Sequence, residues 1–168
     1  MLDTKLSVQE IEDSLLLYFG GKRNNLVVPN VSWGLLPYEA DLLVMNKSGY
    51  LTEFEIKRSF SDFMADFKKD EKAHNAPIIY KFYYVVPLNI LDKVLAVLKE
   101  KAEADKQEMP AVISYDEKAR LKLQEGNPYR FNARKLFLEE RLQLARLGTM
   151  RYWSLREKMN KNKREEQK

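Results

Sequence analysis

The order of elements legible in this sequence predicts an α/β domain: a mixed β-sheet flanked by helices on both faces, with a basic helical extension at the C-terminus. Three observations carry that expectation. Amphipathic helical stretches alternate with extended ones. The run Ile78-Ile79-Tyr80-Lys81-Phe82-Tyr83-Tyr84-Val85-Val86 is β-branched or aromatic on both faces, as befits a central strand. The stretch from Tyr38 to Lys57 reads as a β-hairpin with its charged residues on one face.

Ser7-Val8-Gln9-Glu10 is a capping box, so a first helix is expected from there to about Phe19, burying Val8, Ile11, Leu15, Tyr18 and Phe19 and ending at Gly20-Gly21. Residues 25–29 and 31–36 look extended, interrupted around Pro29 and Gly34. After the hairpin, Ser59 caps a second helix with an apolar face of Phe60, Phe63, Met64 and Phe67, running to about Ala73. Pro77 and Pro87 bracket the central strand, and a third helix over about 88–105 uses Leu91, Val94, Leu95 and Leu98. Ala111–Tyr115 and Ala119–Leu123 are two short strands joined by a turn at Asp116-Glu117-Lys118. From Asn132 the chain is expected to be helical to about Met159, with a break at Gly148.

The domain organisation expected is a core over 1–130, C-terminal helices over 131–159 packed on it, and a polar, disordered tail over 160–168. With no cysteine, disulfides and thiolate metal sites are excluded, and a metal must be held by oxygen or by His74. No signal peptide or membrane-length apolar run is present, so a cytoplasmic location is expected. Residues 1–129 hold 17 Lys/Arg against 20 Asp/Glu, whereas 130–168 hold 12 against 5. The basic surplus is confined to the last quarter, where it suits a phosphate backbone as well as it suits a solvated helix.

Asn46 to Tyr50 encloses the hairpin turn, with Gly49 as its left-handed residue. Pairing 46 with 50 sets Asp41 against Glu55 and Glu39 against Lys57, all on one face. Two carboxylates opposed at about 5 Å need a cation between them or a proton on one of them. Asp41 and Glu55, with the carbonyl of Ile56 as a third donor, suit Mg²⁺ or Mn²⁺. Such a cation activates a bound water, and the Lys57 ammonium stabilises charge on a phosphoryl group. The plainer alternative is an exposed ladder in which Glu39 pairs with Lys57.

An acidic residue before a hairpin turn, followed by Glu55-Ile56-Lys57 on the return strand, resembles the PD-(D/E)XK nuclease superfamily. That family's core places a helix before the hairpin, then a helix and another strand after it. The segments Arg58-Ser59, Asp62-Phe63, Asp66-Phe67-Lys68-Lys69 and Tyr80 to Pro87 are similar to small stand-alone DNA-repair and phage members, the MmcB-like group, over roughly residues 7–145. The resemblance implies a restriction-endonuclease-like fold. It also implies a Mg²⁺- or Mn²⁺-dependent deoxyribonuclease of DNA repair, recombination or phage DNA processing, with Asp41, Glu55 and Lys57 as its catalytic set. Ala40 stands where the family name has Pro. Many members complete the metal site with a glutamate from the first helix. Of Glu10, Glu12 and Asp13, Glu12 is the choice: Glu10 serves the capping box and Asp13 is expected to face solvent.

Lys68, Lys69, Arg134, Lys135 and Arg141 are the candidate DNA contacts, and Arg146 and Arg151 continue their stripe. His74 is expected to partner a helix C-terminus, and Trp33, Trp153, Tyr83 and Tyr84 to lie in the core rather than stack on bases. Glu39 is left open between a second metal and Lys57. A homodimer is compatible with the chain. A non-catalytic DNA-binding or assembly module with the same fold is the alternative function, and RNA or another phosphate ester the alternative substrate.

Overall fold

The computed structural model describes residues 3–19, 25–32, 34–66 and 76–165. It is an α/β domain on a six-stranded mixed sheet. Helix α1 (Val8–Tyr18) precedes an antiparallel meander of β1 (Leu26–Val31), β2 (Ala40–Met45) and β3 (Leu51–Ile56). Helix α2 (Phe60–Asp66) crosses to β4 (Ile79–Pro87), parallel to β3, and α3 (Leu91–Asp105) crosses to β5 (Ala111–Tyr115), parallel to β4. β6 (Leu121–Leu123) closes the far edge antiparallel to β5, and α4 (Leu138–Glu165) ends the described chain. The strands lie in chain order across the sheet.

The sheet separates two cores. On one face Phe63 of α2, Leu91, Val94 and Leu98 of α3 and Leu144 of α4 pack on Val28, Leu43, Leu51, Phe82 and Tyr84. On the other, Ile11 and Leu15 of α1 pack on Leu42, Val44, Phe54, Tyr83 and Ile113. Side chains of successive strand residues therefore alternate between the two cores, and β4 is buried along nearly its whole length. The ends of the elements follow their caps. Ser7 and Glu10 form both halves of the capping box of α1, and Ser59 Oγ accepts the Asp62 amide at the start of α2. Among the described residues no helix is long and apolar enough to cross a membrane.

Several local expectations differ from what forms: Tyr18, expected to be buried by α1, is exposed, and β6 begins at Leu121 rather than Ala119. Only 26–31 is a strand before the hairpin, and 32 and 34–39 are not. Pro29 is accommodated because β1 is an edge strand. The last helix starts at Leu138, not Asn132, because Glu140 Oε2 accepts the Phe137 amide at 2.7 Å while the Leu136 amide bonds the Gly49 carbonyl. Gly148 does not break α4: a Cβ there would stand 3.2 Å from Val28 Cγ2, so the glycine lets the helix lie close on β1. The helix also continues through Glu165, so 160–165 are helical where a disordered tail was expected. That stretch is rich in lysine, arginine and glutamate, which favour helix, and cations near a helix C-terminus suit its dipole.

The hairpin turn depends on Gly49. Its φ is +88°, and an added Cβ would collide with the Arg141 guanidinium, which packs over the turn. Gly49→Ala is expected to destabilise the domain by at least about 1–2 kcal/mol through left-handed strain plus displacement of Arg141. Chemical denaturation of the variant checks this, and a change under about 0.5 kcal/mol contradicts it.

Candidate functional site

The β2–β3 register is the one the turn predicts: Met45 faces Leu51, Val44 faces Thr52, Leu43 faces Glu53 and Leu42 faces Phe54. One step further brings Asp41 beside Glu55. Asp41 Oδ2 accepts the Ile56 amide at 2.7 Å, so it is the N–H of Ile56 that ties the two strand ends together. Glu53, Glu55 and Lys57, at strand period, project toward the core shared by α2, α3 and α4, and all three are buried.

Lys57 is not part of an exposed ladder. Its Nζ lies 2.7 Å from Glu55 Oε1 and 2.8 Å from Asp66 Oδ2, with each side chain at most 4% exposed. Glu39, the other candidate partner, is exposed. Burial alone would lower the Lys57 pKa, but the Glu55 and Asp66 carboxylates more than offset that and hold it above its ordinary value. Next along β3, Glu53 Oε2 accepts the Tyr38 hydroxyl at 2.7 Å. Burial lowers the Arg130 pKa and the Glu53 charge opposes that, while the Arg130 guanidinium lies over the Phe82 ring. Burial and the neighbouring carboxylate push the Tyr38 hydroxyl pKa far up, so that it stays a donor.

Glu12 reaches this region from α1. Of the three acids on that helix it is the one turned inward, with Glu10 in its capping box and Asp13 exposed. Glu12 Oε1 is buried with no hydrogen-bond partner among the described residues. Burial and, next, the charge of Asp41 raise the Glu12 pKa from 4.5 to about 7. Burial also raises Asp41, although the Ile56 amide and Lys57 oppose it.

Among the described residues the region thus gathers the carboxylates of Glu12, Asp41, Glu53, Glu55, Asp62 and Asp66 with the cations Lys57, Arg58 and Arg130. Burial chiefly, with neighbouring acids adding to it, raises the pKa of Glu12 and Asp41, and the surplus of acids favours a further positive charge. The donor chemistry of Glu12, Asp41 and Glu55 fits a hard divalent cation, and the orphaned Glu12 oxygen is what such an ion would satisfy. Among the described residues, however, no three acidic or imidazole side chains already stand together as a metal-holding group. Cation binding therefore requires these side chains to converge.

Glu12 titration has a readout without any cation. The folded chain binds the Glu12 proton more tightly than the unfolded chain does, so the advantage is complete below pH 4.5 and is lost as pH rises through about 7. Glu12→Gln is expected to flatten that slope and to be the more stable protein above pH 7, by about 1 kcal/mol once solvent screening of this part-exposed carboxylate is allowed for. Urea titrations at pH 5 and pH 8 decide it, and parallel pH profiles for parent and variant would refute the assignment.

No site role was assigned from sequence to Asp66, Glu53, Tyr38 or Arg130. Strand period alone puts Glu53 on the face of Glu55, and Asp66 follows Phe63 by three on the buried side of α2. Arg130 comes from a loop whose amide bonds the Tyr80 carbonyl, and no local pattern announces it. The expected basic contacts lie elsewhere. Arg134 makes a bidentate pair with Glu140 at 2.7 Å, Lys135 lies over the Tyr50 ring, and Arg141 Nε donates to the Leu136 carbonyl. Lys68, Lys69, His74 and Trp33 fall outside the described residues. Tyr83 and Tyr84 are core residues, as expected, but Trp153 is 50% exposed because it lies beyond the part of α4 that covers β1.

No family model matches the chain, and no curated protein does. Among solved structures it is similar to a protein of unknown function from Silicibacter pomeroyi, with a TM-score of 0.59, 13% identity, and 95% of each chain covered. At that identity the likeness speaks for the fold, which the two chains share over nearly their whole lengths.

Proposed function

We propose that the chain is a metal-dependent deoxyribonuclease of the PD-(D/E)XK type, working in the cytoplasm on DNA. The observation that carries the reading is the placement of Asp41, Glu55 and Lys57 at one end of the β2–β3 pair, with a buried, orphaned Glu12 oxygen on α1 whose carboxyl feels the Asp41 charge. The element order around that hairpin supports it, with α1 before and α2 and β4 after.

Glu12, Asp41 and Glu55 would hold Mg²⁺ or Mn²⁺, which when bound supplies an activated water and charge stabilisation at the phosphoryl oxygen. The protein's own contribution is electrostatic. Lys57 offers an ammonium held charged by two carboxylates, ready to donate to a phosphate oxygen as negative charge develops there. Asp66 keeps that ammonium in place when Glu55 turns to another partner. Asp41, fixed by the Ile56 amide, holds one oxygen toward β3 and leaves the other available.

Purified protein incubated with plasmid, single-stranded and branched DNA, and with RNA alongside, in Mg²⁺ or Mn²⁺ tests the reading. Cleavage of DNA that Asp41→Asn and Lys57→Ala both lose supports it. No cleavage of any substrate, or equal cleavage by the variants, sinks it. A second reading, a DNA-binding or assembly module without catalysis, draws on a specific observation. The Lys57 ammonium already neutralises Glu55 and Asp66, and no ready-made three-ligand group exists among the described residues. In that case Asp41→Asn changes nothing while loss of the basic C-terminal helix abolishes DNA binding.

A further inference from the structure

Helix α4 has two unlike halves. Up to Gly148 it lies on β1, with Leu144 fully buried and Gly148 against Val28. From Thr149 to Glu165 every residue is exposed. Arg151 still donates to the Asn30 carbonyl of β1, and beyond it the helix, about 20 Å of it, leaves the domain surface behind. Residues 149–165 hold six Lys/Arg against two Asp/Glu, a net of +4, which equals the net charge of the whole chain. The same stretch exposes Tyr152 by 57% and Trp153 by 50%. The two rings meet edge-on with centroids 5.5 Å apart, and the Arg156 guanidinium lies 5.2 Å from the Trp153 centroid. A shallow groove along the helix is lined by Tyr152, Leu155, Arg156, Met159 and Lys163.

A free helix of this length is marginal in water, so what covers it matters to whether it persists. A second copy of the chain is a poor fit. Only Tyr152, Leu155 and Met159 share a seam, and two such helices would set six cations against six. A polyanion matches the charge, and exposed aromatic rings next to cations match unpaired bases, whose faces a duplex would hide. We infer that residues 149–165 form a grip for single-stranded DNA, in which Tyr152 and Trp153 stack on bases while Arg156, Lys158 and Lys163 hold phosphates. This deepens the nuclease reading by stating how its substrate is held, and it moves the DNA contact outward from Arg134, Lys135 and Arg141.

The test uses the full-length chain with an oligothymidylate of about 20 nucleotides, in EDTA so that nothing is cut. Intrinsic tryptophan fluorescence is expected to be quenched saturably, and affinity to fall as salt rises. Trp153→Phe abolishes the quench, and Tyr152→Ala with Trp153→Ala weakens binding, read by anisotropy of a labelled oligonucleotide, about tenfold or more. Arg156→Gln with Lys163→Gln makes the salt dependence shallower. Absence of quenching overturns the grip. So does equal quenching by heparin, a polyanion without bases, tighter binding of duplex DNA or RNA than of the oligothymidylate, or sedimentation showing that the helix pairs copies of the chain. Because no cleavage is read, a chain that cuts without quenching refutes the grip alone, and one that quenches without cutting refutes the nuclease reading alone.

Discussion

Asp41→Asn is expected to lower DNA cleavage by about 10²–10³-fold, the order lost when one group stabilising the transition state is removed, and to leave a protein more stable than its parent. The two effects have one cause. Burial raises the Asp41 pKa, so ionising this carboxyl costs the folded chain more than the unfolded one. Asparagine keeps an oxygen for the Ile56 amide and sheds the charge from an acid-rich region. A gain of about 1 kcal/mol is reasonable for such a release at a functional site. Cleavage rates and urea midpoints on the same preparation check both parts. Loss of activity with gain of stability excludes misfolding as the reason for the loss. A variant that is destabilised, or that still cuts, contradicts the assignment.

Lys57→Ala is expected to carry the largest stability penalty of any single change in the site. It leaves the Glu55 and Asp66 carboxylates buried against each other with their shared cation gone. Removing one partner from a buried ion cluster costs about 3–5 kcal/mol, or roughly 10 °C in a domain of this size. Replacing the whole cluster by neutral groups of similar volume, as Lys57→Met with Glu55→Gln and Asp66→Asn, should recover most of that loss. Thermal denaturation of the single and triple variants separates a charge effect from simple loss of packing. If the triple variant is no better than Lys57→Ala, the penalty is not electrostatic.

Much of this was legible in the residues because the hairpin turn is strongly specified. Gly49 has one conformation to adopt, and once Asn46 faces Tyr50 the strand period leaves no freedom over which residue opposes Asp41. Residues joined by that register, Asp41, Glu55 and Lys57, were therefore readable together. Asp66 and Arg130 were harder, because their meeting with Lys57 and Glu53 depends on how α2 and the loop after β6 pack, which local periodicity does not encode. Gly148 was misread for a related reason. A mid-helix glycine signals either a break or a close approach, and only the neighbouring Val28 decides between them. Trp153 was expected in the core as a large aromatic, whereas its exposure follows from where α4 runs out of sheet to cover.

The most direct measurement is a structure of the protein crystallised with Mn²⁺, read by anomalous scattering. The nuclease reading predicts a peak within about 2.2 Å of oxygens from both Asp41 and Glu55, with Glu12 drawn toward it and Lys57 still bound by Asp66. A crystal that takes up Mn²⁺ elsewhere, or leaves Lys57 bridging Glu55 and Asp66 with no peak beside Asp41 at saturating metal, would contradict it.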